Sequence, residues 1–488
     1  MTKENNIALL PLDNRPVSYL LPKQIADFSG IDLILPERKY LGDFKKGSDL
    51  DYLEKWLKDL SIKHSSMLFV ISLDNWVYGG LIQSRKHDFT PDVLKKRVDL
   101  LENILSKHSV YGFSSIMRLA STSSVEEEKQ YWGEYGKKIY NWSELMYKVG
   151  RGIKEEGISH KDLIENWYQS SKTLPIEVLT DYRGHRDKNL TVNTMWLESL
   201  HKKCFKYLIF SCDDSAKYGI NVVEAEYLKQ EIGKHNFSTY AKVISGTDEI
   251  PLVLVTKALI DRFFLKPSIS MYFNSTDGMN KTARYENNSI YDSVIEQIKT
   301  LNIEMKDHNE ADINLYIHCT DSEQGDHIFK EKAKTTKDNI SKLIKLIKQA
   351  SKPFIILDLA YANGADPDLI EELLKSKVNW DRCYGYAGWN TCSNSMGSAL
   401  AIAVNRWIAE QNKSFDKEAF KKCLLVRFLD DYAYQAKIRH FKVTEQELNN
   451  KMKNYIQTFS QVLCLNDINV NCSLPWNRSF EVEIEIRN

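Results

Sequence analysis

The sequence predicts an α/β protein with parallel sheet, and three observations carry that reading. Over the first 120 residues, short apolar runs that end in polar residues alternate with amphipathic helical stretches. Parallel neighbours need such crossovers, so strands spaced by helices point to parallel pairing. The rhythm breaks over residues 124–203, which are rich in Glu, Lys, Trp and Tyr at helical spacing, resumes at Tyr207–Ser211 and Ala241–Ser245, and a further set of strands follows Pro267.

In order, strands are expected at Ile7–Leu12, Leu33–Leu35, Met67–Leu73 and Ser115–Leu119, with helices at Leu53–Leu60 and Val93–Leu105. After the helical insertion come strands at Tyr207–Ser211 and Ala241–Ser245. This part fits a β/α barrel or a large doubly wound sheet. A second set of strands follows at Ile269–Phe273, Ile313–Ile317, Phe354–Leu357 and Arg382–Tyr386, again alternating with helices. The resulting division is a β/α-barrel-like domain over 1–274 with its insertion at 124–203, a second α/β domain over 275–394, and a helical region over 395–488. The tail Phe480–Ile486 alternates apolar and acidic residues, which is the period of a half-exposed strand.

Composition narrows the function classes. The 488 residues are 43% hydrophobic and 27% charged, an ordinary globular balance that excludes disordered, collagen-like and coiled-coil classes. The 66 Lys+Arg cancel the 66 Asp+Glu, whereas a nucleic-acid binder carries a basic excess or stripe, so no nucleic-acid partner is expected. No run approaches the 18 or so apolar residues of a membrane span, and the eight cysteines include no C-x-x-C. The expectation is a reduced, cytoplasmic protein with no membrane partner, free to form a homo-oligomer. Aromatics are plentiful, with 25 Tyr, 19 Phe and 10 Trp, and such rings serve either as core or as stacking platforms for sugars.

The Walker loop, H-E-x-x-H, G-x-S-x-G and a Rossmann glycine fingerprint are all missing. What recurs is an acidic or amide residue where a strand ends, the position that lines ligand sites in parallel α/β folds. Asp13-Asn14-Arg15-Pro16 closes the first strand; Asp13 and Arg15 are either site residues or an ion pair under the rim. Asp74-Asn75 closes the third and runs into Tyr78-Gly79-Gly80, a hydroxyl beside bare backbone. Arg118 ends the fourth, with a salt bridge to an acidic group as its plainer role. Asp213-Asp214 closes the run at 207–211. Two close carboxylates cannot both ionise easily, so one becomes an acid near neutral pH; capping the next helix is the alternative. Asp248-Glu249 precedes Pro251, and N-capping is the expected role there. In the second domain, Asp358 and Asn363 close one strand, while Trp389 and Asn390 in Tyr384-Gly385-Tyr386-Ala387-Gly388-Trp389-Asn390-Thr391 close another. They offer a carboxylate, amides and a stacking face, with helix–strand packing through Gly and Ala as the alternative.

The segments L-P-L-D-N-R-P, S-L-D-N-W-V-Y-G-G-L-I-Q-S-R, S-C-D-D-S-A-K-Y-G, G-T-D-E, A-N-G-A-D-P and Y-A-G-W-N-T together resemble the bacterial domain-of-unknown-function family DUF4127, across nearly the whole chain. More loosely, an apolar strand followed by Asp-Asp is similar to the family 84 glycoside hydrolases, whose substrate supplies its own acetamido nucleophile. That resemblance implies that Asp213 orients the acetamido group and Asp214 is the general acid/base.

The function expected from these readings is a glycoside hydrolase for small oligosaccharides, N-acetylhexosamine-containing ones among them. Asp213 and Asp214 would be catalytic, and Asp13, Arg15, Asp74, Tyr78, Arg118, Asp248, Asp358, Asn363, Trp389 and Asn390 would hold the sugar, with no cofactor required and no metal ligand assigned. Two alternatives stay open: a metal-dependent hydrolase with an Asp cluster, and a non-catalytic sugar or metabolite binder.

Overall fold

The computed structural model describes residues 6–121, 123–153, 156–213 and 217–487. It holds two parallel sheets, so the α/β reading is correct. The first contains β1 (Asn6–Leu10), β2 (Asp32–Ile34), β3 (Leu68–Ser72), β4 (Ser109–Ile116), β5 (Tyr207–Cys212) and β6 (Ala241–Ser245). Their order is β2-β1-β3-β4-β5-β6, which leaves β2 and β6 as edges. The sheet is therefore open and doubly wound, with its order reversing beside β1, and is not closed into a barrel. Its central strands read as unbroken apolar runs because helices cover both faces; all of Leu68–Ser72 is buried.

The second sheet contains β7 (Ser268–Phe273), β8 (Glu304–Met305), β9 (Ile313–His318), β11 (Phe354–Asp358) and β13 (Cys383–Ala387), in the order β13-β11-β9-β7-β8. The short strands β10 (Gly325–Asp326) and β12 (Tyr361–Ala362) pair beside it. Near the end, β14 (Asn469–Ser473) and β15 (Glu483–Arg487) form an antiparallel hairpin.

Two helices join the sheets. The helix Ile250–Phe263 buries every residue from Ile250 to Ile260. A helix apolar all round lies inside a protein, not on its surface. It packs on β1, β3 and β4 on one side and on the helix Cys392–Asn412 on the other, which in turn covers β11 and β13. The close approach depends on Gly397, where a Cβ would lie 2.3 Å from Glu249 Cγ. A single apolar cluster consequently runs from Val70, Phe113 and Ile209 through Val253, Leu254 and Met396 to Leu315 and Leu357.

The insertion is helical as expected, with helices Trp132–Arg151, His160–Lys172 and Ile176–His201 between β4 and β5. One strand lies earlier than the sequence suggests. β4 starts at Ser109 and contains Gly112, where a Cβ would stand 2.7 Å from the Phe205 ring. With no side chain, this glycine admits that ring. Among the described residues, no helix is long and apolar enough to cross a membrane.

Candidate active site at the strand ends

The carboxyl end of β1 builds the centre. Pro16 starts the helix Pro16–Ser29, and the turn before it folds Asp13 back on Arg15. Asp13 Oδ1 accepts the Arg15 backbone N–H at 3.0 Å and Oδ2 accepts Nε at 2.8 Å. The rest of the guanidinium reaches two distant segments. Nη2 donates to Asp248 Oδ1 at 2.6 Å, and Nη1 donates to Asp248 Oδ2 at 3.3 Å and to Glu481 Oε1 at 3.0 Å. Burial opposes the charge on Arg15, but its three carboxylate partners hold its pKa well above the ordinary value. Asp248 therefore pairs with Arg15 and does not cap the helix, whose N-cap residue Glu249 makes no side-chain cap bond.

Glu481 and its neighbours arrive on the loop between β14 and β15, which forms a strap across the strand ends. Trp476 Nε1 donates to Asn14 Oδ1 at 2.7 Å, and the Trp476 ring lies 5.6 Å from the Arg15 guanidinium. Arg38 clamps Glu483 with two bonds, 2.7 and 2.6 Å.

A second charged group surrounds Asp213. Arg85 Nη2 donates to Asp213 Oδ2 at 2.6 Å and Nη1 approaches Glu127 at 3.4 Å. Arg118 binds Glu128 at 2.9 Å and Glu127 at 3.0 Å, so its plainer reading as an ion-pair residue is the one seen. Arg478, from the strap, takes the other Glu127 oxygen at 2.5 Å. Burial disfavours the charged Glu127, yet the three arginines hold its carboxyl well below the usual range. Asp214 lies outside the described residues.

Asp74 and Tyr78 sit deeper. Ser72 caps the short helix Leu73–Tyr78, so Asp74 stands on a helix and not in a loop. Its Oδ2 accepts the Ser115 N–H at 2.7 Å, while Oδ1 is buried without a partner. Burial pushes Asp74 up to about 7. The buried Tyr78 hydroxyl also has no partner, and its ring stacks on His87.

The second sheet contributes unevenly. Trp389 is buried and meets Phe480 of the strap edge-on at 5.6 Å between centroids. Asn394, just beyond it, accepts the Thr247 N–H at 3.3 Å, which brings the ends of β6 and β13 together. Asn390 and Asn363 hold each other through backbone, Asn363 N–H to Asn390 O at 2.9 Å, and the Asn363 amide bonds Asp326. Asp358 is fully buried and closes its own turn, accepting the Asp366 N–H at 2.7 Å. The structure thus gathers Asp13, Arg15, Arg118, Asp213, Asp248 and Trp389 around one strap, and leaves Asp74, Tyr78, Asp358 and Asn363 in separate buried networks.

Arg85, Glu127, Glu128, Trp476, Arg478 and Glu481 were not expected from the sequence. Arg85 ends the segment L-I-Q-S-R, and the glutamates form an acidic run in the insertion. Two surface cavities of about 430 Å³ lie away from the strand ends, one beside Trp380 and Phe420 and the other beside Lys242 and Glu296. Among the described residues, no group of three or more His, Cys, Asp or Glu side chains is arranged to hold a metal ion. Asp13 and Asp213 face arginine instead.

A family model described as a protein of unknown function, DUF4127, matches residues 7–485. The chain belongs to the DUF4127 family. No curated protein and no solved structure matches this DUF4127 protein, so the likeness to family 84 glycoside hydrolases stands on its short motif alone.

Proposed function

We propose that this DUF4127 protein is a glycoside hydrolase acting on small oligosaccharides, including those that contain N-acetylhexosamine. One observation carries the reading: arginines and carboxylates held in fixed geometry at the ends of parallel strands, under a strap that brings Trp476 and Phe480. Planar paired side chains offer the directed donors and acceptors that hydroxyl groups need, and aromatic rings offer faces for the sugar ring. The arginines are matched by carboxylates, which suits an uncharged ligand better than a phosphate. Asp213, paired with Arg85, suits the orienting role that the resemblance assigns to it. Asp248, also arginine-paired, and Trp389 line the same region. The eight free cysteines suit a reducing, cytoplasmic setting.

Hydrolysis of a panel of aryl glycosides, with and without chelator, tests this. Release that ignores chelator and needs the acetamido group is expected, and Asp213→Asn should lower it at least ~100-fold. Release only with added metal would turn the site into a metal-assisted one, and tight sugar binding without turnover would make the protein a binder.

A further inference from the structure

One carboxyl oxygen in the Arg15 cluster has no use in the fold. Asp13 and Asp248 each spend both oxygens on Arg15. Glu481 spends only Oε1, while its Oε2 is buried with no partner, on a residue 3% exposed. One bonded guanidinium does not neutralise three buried carboxylates, and Arg478, itself bonded to Glu127, adds only a weaker pull, so the cluster holds a proton. Oε1 accepts from Arg15, which leaves Oε2 as the oxygen that carries it. The groups acting on Glu481 agree. Burial and then Asp248 and Asp13 push its carboxyl up to about 8, against the pull of Arg15 and Arg478. Tyr434 and Arg439 are the remaining titratable neighbours, from the helical segment beneath the strap.

We propose that Glu481 is the proton donor of the hydrolysis, giving its Oε2 hydrogen to the leaving oxygen of the glycoside. This rests on the hydrolase reading above and replaces Asp214 as the acid. As the glycosidic C–O bond breaks, its electron pair stays with the leaving oxygen, which takes the Glu481 proton. The substrate's acetamido oxygen bonds to the anomeric carbon meanwhile. Water then adds to that carbon, expels the acetamido oxygen and returns a proton to Glu481. One water is consumed for each bond cleaved and no other reactant is needed.

The test compares Glu481→Gln with wild type on an N-acetylhexosamine disaccharide and on the matching 2,4-dinitrophenyl glycoside, whose leaving group needs no proton. The expected result is a loss in kcat/KM of at least ~100-fold on the disaccharide and under ~10-fold on the activated substrate, with the alkaline limb of the pH profile gone. If Glu481→Gln does not fold, Glu481→Asp keeps the Arg15 contact and should show the same substrate contrast in weaker form. Equal losses on both substrates would overturn the assignment, as would the leaving-group contrast appearing in Asp214→Asn and not at Glu481. Wild-type protein that cleaves neither substrate would instead remove the hydrolase reading itself.

Discussion

Replacing Arg15 by Met keeps much of the side chain's length and removes the cation that, among the described residues, Asp13 and Asp248 share. Both carboxylates are buried, with side chains 7% and 10% exposed, so water does not replace the lost charge. Breaking a buried pair by deleting one partner costs about 3–5 kcal/mol. An unfolding entropy of about 2 cal/mol/K per residue gives roughly 1 kcal/mol/K for a chain this long, so Tm should fall by about 3–5 °C at pH 8. The sign with pH follows from linkage. Glu481, which burial already pushes up to about 8, loses the pull of Arg15 in the variant and keeps a proton that the unfolded chain releases, so the penalty is small at low pH and grows as pH rises. A thermal melt followed by tryptophan fluorescence at pH 5 and pH 8 measures both, because Trp476 lies against Arg15. The double variant with Glu481→Gln should lose less than the two single losses combined, since they share one cluster. A drop of the same size at both pH values, or no drop at pH 8, would show that Arg15 is not the cluster's counter-charge.

Two further substitutions test other parts of the structure. Asp74, pushed up to about 7, keeps a proton in the folded state that the unfolded chain gives up, so its share of stability is full below about pH 4 and is lost as pH climbs to about 7. Asp74→Asn has no such loss, and the difference in Tm, variant minus wild type, should rise between pH 5 and pH 8; a flat difference would show Asp74 ionised in the fold. Gly397→Ala places a Cβ against Glu249 between the two joining helices and should cost about 1–3 kcal/mol. An unchanged melt for that variant would mean that the helices are not in tight contact there.

The parallel strands were legible because burial on both faces writes them as continuous apolar runs. Closure was not: strand order depends on which edges meet, and no local pattern records that β2 and β6 both stay free. Asp13, Arg15, Asp213 and Asp248 were found from the rule that strand ends carry sites. Their partners were harder to see. Glu481 sits in an alternating tail whose acidic positions read as a solvent-facing side, and only the fold places it against Arg15, 466 positions earlier. Asp358 and Asn363 satisfied the same strand-end rule, but Asp358 pairs the backbone of its own turn, and Asn363 ties that turn to Asn390 and Asp326. The rule finds polar strand ends but does not separate those that gather under the strap from those held in their own buried networks.

The strap also sets a timetable for biosynthesis. At about 5–20 residues per second, the 466 positions that separate Arg15 from Glu481 take on the order of half a minute to a minute and a half to synthesise. Throughout that interval the nascent first sheet has its strand ends uncapped, with Arg15 awaiting its last acidic contact. A translation stop or a protease cut between β14 and Trp476 would leave every strand of both parallel sheets in the chain while removing Trp476, Arg478, Phe480 and Glu481 together. Such a fragment would lose the β14–β15 hairpin and leave the strand ends uncovered, so a finished chain differs from a nearly finished one by its last hairpin.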